Sequence, residues 1–129
     1  MVETERIGIR LPDLGASVGD LSGGQRQAVA IARSISWARK VLILDEPTNH
    51  LGVIEVEEVL RLIRRVRDHG VAVVLVSHTL PHVMAITDRI VVLRLGRVAA
   101  EPITRETTTA DIVRDIMGAS EAELAGRTH

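Results

Sequence analysis

Apolar residues change their spacing along the chain, and each change marks a different element. Ala28, Ile31, Ala32 and Ile35 recur at steps of three and four, the period of a helix that buries one side. Ser22 stands just before them with Gln25 three residues on, a pairing whose side chains satisfy the orphan amides of a helix start. The pattern predicts a helix from Gly23 to Ser36. Val41 to Leu44 is then an unbroken apolar run closed by Asp45-Glu46-Pro47, which predicts a strand buried on both faces, as in a parallel sheet. From Ile54 to Asp68 the helical stripe returns as Val56, Val59, Leu60, Ile63 and Val66, with glutamates early and arginines late. That charge order complements a helix dipole, and Gly70 is a natural terminator.

Val71 to Val76 predicts a second buried strand, followed directly by Ser77-His78-Thr79. Pro81 suits the first turn of a short helix that runs through Ile86. Arg89 to Leu95, a turn at Gly96, and Arg97 to Glu101 read as a hairpin. Thr109 is expected to cap a last helix from Ala110 to Met117. Residues 1–20 hold Gly8, Gly15, Gly19 and Pro12 with little periodicity and read as loop, with at most one turn of helix. Residues 118–129 are polar and expected to fray. The expected class is α/β: a layered fold with mainly parallel strands flanked by helices, plus a C-terminal hairpin and short helix.

Composition narrows this picture. A chain of 129 residues, 46% of them hydrophobic, is one domain or part of one. It has no cysteine, which excludes a disulfide scaffold. A formal net charge of -1 gives no whole-chain basic field, so no nucleic-acid partner is expected. The longest apolar run, Val71 to Val76, is strand-sized and far short of a bilayer span. The start, Met1 to Arg6, lacks a basic region leading into an apolar one, which points to a cytoplasmic chain. Lys40 is the single lysine and Trp37 the single aromatic residue.

Three places carry candidate chemistry. Leu21-Ser22-Gly23-Gly24-Gln25 puts two glycines at a helix N-terminus, where free amides and the dipole favour an anion; an ordinary capped helix is the plainer alternative. Asp45 and Glu46 stand just past a buried strand, where open α/β sheets place their chemistry. There the first acid suits Mg²⁺ held through water and the second suits an attacking water, although both could simply cap a turn. His78 ends the other strand, where it either donates to a phosphate or makes a structural hydrogen bond.

As an ordered set, these motifs resemble those of the nucleotide-binding subunits of ATP-binding cassette (ABC) transporters. Leu21 to Gln27 is similar to that family's signature motif, Val41 to Glu46 to its Walker B strand with the catalytic glutamate, and His78 to its switch histidine. Asn49-His50-Leu51-Gly52-Val53 and Ser77 to Val83 look most like the sugar-importer branch. The resemblance implies a partial P-loop NTPase-like fold: residues 1–20 in the helical subdomain, 21–117 forming the C-terminal part of the ATPase domain, and 118–129 a tail. It also implies ATP and Mg²⁺ as cofactors, a second cassette in a head-to-tail dimer, and membrane permease subunits. Ser22, Gly23, Gly24 and Gln25 would then touch the γ-phosphate of ATP held mainly by the partner cassette. Asp45 would support Mg²⁺ through water, Glu46 would polarise the attacking water, and His78 would contact the γ-phosphate of the chain's own nucleotide. The assembled subunit would lie on the inner face of the cell membrane.

The resemblance is incomplete. A Walker A loop, G-x-x-x-x-G-K-[ST], wraps phosphates with backbone amides and a lysine, and Lys40 follows Arg39, so these 129 residues contain no Gly-Lys pair. Gly52 replaces the aspartate that many family members carry in the loop crossing the dimer interface. Two function classes follow: the C-terminal half of a sugar-importer ATPase that is inactive by itself, or an accessory protein that lends its signature motif to a complete cassette. An ABC-type ATPase of DNA repair or translation fits less well, for lack of heptads and room.

Overall fold

The computed structural model describes residues 18–37 and 40–118. Residues 1–17 of the loop expected over residues 1–20, and most of the expected tail, lie outside them. The chain divides into two compact units, residues 1–78 and 79–129.

In the first unit a single helical turn at Val18–Asp20 leads into α1 (Gly23–Trp37), then β1 (Val41–Asp45), α2 (Val53–Asp68) and β2 (Ala72–Val76). The two strands pair in parallel with Val41 opposite Ala72 and Asp45 opposite Val76, and α2 is the crossover between them. Val59, Leu60, Leu62, Ile63 and Val66 are buried along α2, so the predicted stripe faces the core. Ile31 of α1 and Leu42 and Leu44 of β1 complete it. His69 caps α2, its amide donating to Arg65 O at 3.1 Å, and Gly70 takes a φ of +85°, where only glycine is free of steric cost.

One expectation fails here. β1 is buried on one face, not two: Leu42 and Leu44 are buried while Val41 and Ile43 are exposed. Val74 and Val76 of β2 are half exposed as well. An unbroken apolar run announces a strand that can be covered on both faces, and among the described residues nothing covers the second.

The second unit holds α3 (Leu80–Ile86), β3 (Val92–Arg94), β4 (Arg97–Ala100), a single helical turn at Thr104–Glu106 and α4 (Thr109–Met117). Val83, Ile90, Val92 and Ile112 form its core, with Leu80, Met84 and Ala100 packed against them. The hairpin is shorter than predicted: Arg89 instead bridges to Ile103. Leu95 is not strand but the first residue of a two-residue turn, with φ +50°, and Gly96 follows with φ +74°, the type I′ arrangement that right-twisted strands favour. The cap of α4 is Thr108, one residue earlier than expected. Its hydroxyl accepts from the Asp111 amide at 3.2 Å, and Asp111 Oδ2 accepts from the Thr108 amide at 3.1 Å, so Thr109 begins the helix.

Candidate functional site

The strand register brings two of the candidate residues together. The ladder continues one residue beyond β1, where the Glu46 amide donates to Val76 O at 2.8 Å. That bond sets Glu46 beside the end of β2, two residues from His78. His78 Nδ1 lies 2.7 Å from Glu46 Oε1, and the His78 amide donates to the same oxygen at 3.2 Å. A single carboxylate oxygen therefore holds both the ring and the backbone of His78. The other oxygen, Oε2, is buried and has no hydrogen-bond partner among the described residues. A buried carboxylate oxygen left unpaired is costly, and it keeps its full capacity to accept a hydrogen bond.

The backbone after β1 aims Glu46 there. Glu46 has φ +47°, and the Asn49 amide donates to Glu46 O at 3.2 Å, closing a turn with Pro47 in second place, where its fixed φ fits. A glutamate in the left-handed region is uncommon and mildly strained, and such residues cluster at functional sites. Pro47 and Thr48, the two central residues of the turn, are buried. The imidazole of His78 is 74% exposed, so the ring edge away from Glu46 faces outward.

At the start of α1 the predicted reciprocal cap forms. The Ser22 amide donates to Gln25 Oε1 at 2.9 Å and the Gln25 amide donates to Ser22 Oγ at 3.2 Å. Ser22 Oγ thus accepts from the helix, and its own proton is free to donate outward. The amides of Gly23 and Gly24, with no partner among the described residues, extend the same donor set. Gly24, however, is buried, and a Cβ placed on it would stand 2.5 Å from both Cβ and Cγ of Glu55. Its lack of a side chain serves packing of α1 on α2. Ser22 to Gln25 make no hydrogen bond to Glu46 or His78 among the described residues.

Asp45 ends β1 with its side chain on the exposed face. No group of three or more metal-binding side chains exists among the described residues. Mg²⁺ in a phosphate site takes one or two carboxylates and completes its shell with water and phosphate oxygens, so a single open carboxylate at a strand end fits it. Lys40 is exposed and takes part in the sheet only through its carbonyl, which accepts from the Ala72 amide at 2.9 Å.

The arrangement can be compared with known proteins. A family model described as ABC transporter matches residues 4–49, the stretch holding the α1 cap and the Asp45-Glu46 pair. The fructose import ATP-binding protein of Rhizobium meliloti is 45% identical over 111 residues, 86% of this chain and 43% of that protein. This chain belongs to the ABC transporter family. The ribose import ATP-binding protein of Pseudomonas putida is 41% identical over 91% of the chain and 23% of its own length. The xylose/arabinose import ATP-binding protein of Sulfolobus acidocaldarius is 39% identical over 81% of the chain and 41% of its own length. The chain thus spans less than half of the curated relatives it matches and corresponds to part of a cassette. Among solved structures, a transporter described as metal-chelate type, in an inward-facing conformation, superposes with a TM-score of 0.69 at 30% identity, over 79% of this chain and 41% of that one. An ABC transporter cassette in its ADP conformation superposes with a TM-score of 0.64 over 84% of this chain at 22% identity, a likeness of fold. The α/β class expected from the pattern and the P-loop NTPase-like fold implied by the resemblance are therefore correct.

Sequence reasoning passed over Glu55 in this cassette. Its Oε2 accepts from the Gly52 amide at 2.6 Å, the glutamate half of a capping box. Gly52 has no hydroxyl for the other half, and for that reason the Gly-x-x-Glu spacing drew no notice.

Proposed function

We propose that this chain supplies the hydrolysing and partner-facing part of an ATP site in a sugar-importing ABC transporter. The observation that carries the reading is the Glu46–His78 pair, with one carboxylate oxygen committed to the histidine and the other buried and unpaired. In that reading Glu46 Oε2 accepts a hydrogen bond from the attacking water, while His78 keeps the carboxylate from turning away. A ring that donates through both nitrogens reaches Glu46 on one side and a phosphate oxygen on the other. Asp45 would hold Mg²⁺, which when bound would supply neutralisation of phosphate charge. Ser22, Gly23, Gly24 and Gln25 offer amide and hydroxyl donors to the γ-phosphate of ATP bound by a second cassette. No helix among the described residues is long and apolar enough to cross a membrane, which suits a subunit that docks on permeases from the cytoplasmic side. The sugar imports of the relatives support the branch.

The missing Gly-Lys pair favours one form of this reading, in which phosphate grip comes from other chain. The test is to join the chain to an N-terminal cassette segment that carries a G-x-x-x-x-G-K-[ST] loop and measure Mg²⁺-dependent ATP hydrolysis. Turnover that vanishes with Glu46→Gln supports the proposal. Equal turnover by the 129-residue chain without that segment, or turnover indifferent to Glu46→Gln, overturns it. A complete cassette whose rate rises when the separate chain is added would instead identify an accessory protein acting in trans.

A further inference from the structure

Glu55 touches both sides of a junction that the proposed roles leave unconnected. Its stem fills the space where a side chain at position 24 would go, with Cβ and Cγ each 2.5 Å from a Cβ built on Gly24 and Cα at 3.4 Å. These atoms are the rigid base of the side chain, so nothing at position 24 larger than hydrogen fits unless α1 and α2 separate. Its head is committed elsewhere: Oε2 accepts from the Gly52 amide at 2.6 Å. Gly52 ends the loop that begins at Glu46. Next to it, a Cβ on Gly23 would meet Leu51 Cδ2 at 3.4 Å and His50 O at 3.9 Å, so the α1 start lies along this same loop. A half-buried carboxylate side chain with both ends engaged is less free to move than an exposed cap.

We propose that Glu55 is a positioning residue that fixes the loop carrying Glu46 against the donor amides of α1. A displacement of Ser22 to Gln25, such as anion binding would cause, then reaches the Glu46 loop through the Glu55 stem and the Gly52 hydrogen bond. The inference rests on the proposed ATP site for its purpose, yet the contact itself is measurable without nucleotide.

The test is amide hydrogen exchange on the full 129-residue chain, with no nucleotide or partner present. Glu55→Ala is expected to speed exchange at Gly52 and also at Gln25 and Arg26, each by roughly threefold or more. Glu55→Gln keeps the stem and an accepting oxygen and should restore all three amides to within about twofold of the parent. Gly24→Ala provides the reciprocal arm, because pushing the stem aside should speed exchange at Gly52, on the far side of Glu55. Faster exchange at Gly52 with Gln25 and Arg26 unchanged in Glu55→Ala would make Glu55 an ordinary helix cap and overturn the proposal. So would an unchanged Gly52 in Gly24→Ala, or a failure of Glu55→Gln to restore the pattern. If the exchange results hold while the joined protein hydrolyses no ATP, it is the ATPase reading that falls.

Discussion

His78 Nδ1 and Glu46 Oε1 lie 2.7 Å apart although 32 residues separate them in sequence. The contact depends on the Glu46 amide continuing the β1–β2 ladder, so it is a product of strand register, with both residues just beyond the ends of their strands. It divides the glutamate into an oxygen that is held and an oxygen that is buried and unpaired.

That division ranks the two residues. In the joined cassette Glu46→Gln should lower kcat by about 10²–10⁴, the range for loss of a general base. His78→Ala leaves the carboxylate in place and removes what holds it, so a smaller loss is expected, roughly tenfold to a hundredfold. Single-turnover hydrolysis at saturating ATP measures both. A loss in His78→Ala equal to or above that of Glu46→Gln would show that the histidine's contact with the phosphate outweighs its hold on the glutamate.

Leu95 offers a gain in stability. It occupies the first central position of a type I′ turn with φ +50° and is 89% exposed, so it carries left-handed strain with little packing in return. Asparagine tolerates this conformation and Asn-Gly is the preferred pair for such turns. Leu95→Asn is expected to stabilise the chain by about 0.5–1 kcal/mol, seen as a higher midpoint in urea unfolding. Leu95→Val, β-branched at a positive φ, should move the midpoint the other way.

Asp111 gives a pH signature. The Thr108 hydroxyl donates to Asp111 Oδ2 at 2.6 Å, the Thr108 amide donates to the same oxygen, and Arg114 donates to Oδ1 at 3.0 Å. These hold the carboxyl below the usual carboxylate range, the Thr108 hydroxyl contributing most, then its amide, then the Arg114 charge. A depressed folded-state pKa stabilises the fold fully above the unfolded aspartate value, and the contribution is lost as pH falls through the lower folded value. The α4 start should therefore loosen only in distinctly acid solution. Thr108→Ala removes the leading cause, so the Asp111 midpoint should rise toward the ordinary range in a carboxyl-resolved NMR titration. An unmoved midpoint would assign the shift to Arg114.

How far the sequence reveals this molecule depends on whether a feature is local. The α2 stripe and the Ser22–Gln25 cap are local patterns, and both stand where the pattern put them. Asp45, Glu46 and His78 were legible as strand-end residues, but the Glu46–His78 contact was not, because register is set by pairing between distant segments. Thr108 and Thr109 both suit a cap, and only the Asp111 partner three residues after Thr108 separates them. Leu95 was hidden because leucine gives no sign of a positive φ. The contact of Glu55 with Gly24 joins the starts of two helices about thirty residues apart, and no periodicity encodes such a crossing.

The bare face of the sheet leads to the last prediction. Val41, Ile43, Val74 and Val76 project from one side of the β1–β2 pair with exposures of 48–70%, and among the described residues two strands make up this sheet. A two-stranded pair leaves both edges unpaired, and an apolar patch beside an open edge promotes self-association. The isolated chain should therefore oligomerise at micromolar concentration. Ile43 is the most exposed of the four, at 70%, and contributes little to the core from that position. Ile43→Thr retains β-branching and hence strand preference, so the unfolding free energy should stay within about 0.5 kcal/mol while the sedimenting species shift toward monomer. If the chain joined to its Walker A-bearing segment is already monomeric and Ile43→Thr destabilises it by about 1 kcal/mol or more, the face is one that the rest of the cassette covers. A monomeric isolated chain, indifferent to Ile43→Thr, would mean that the exposed valines and isoleucine drive no association.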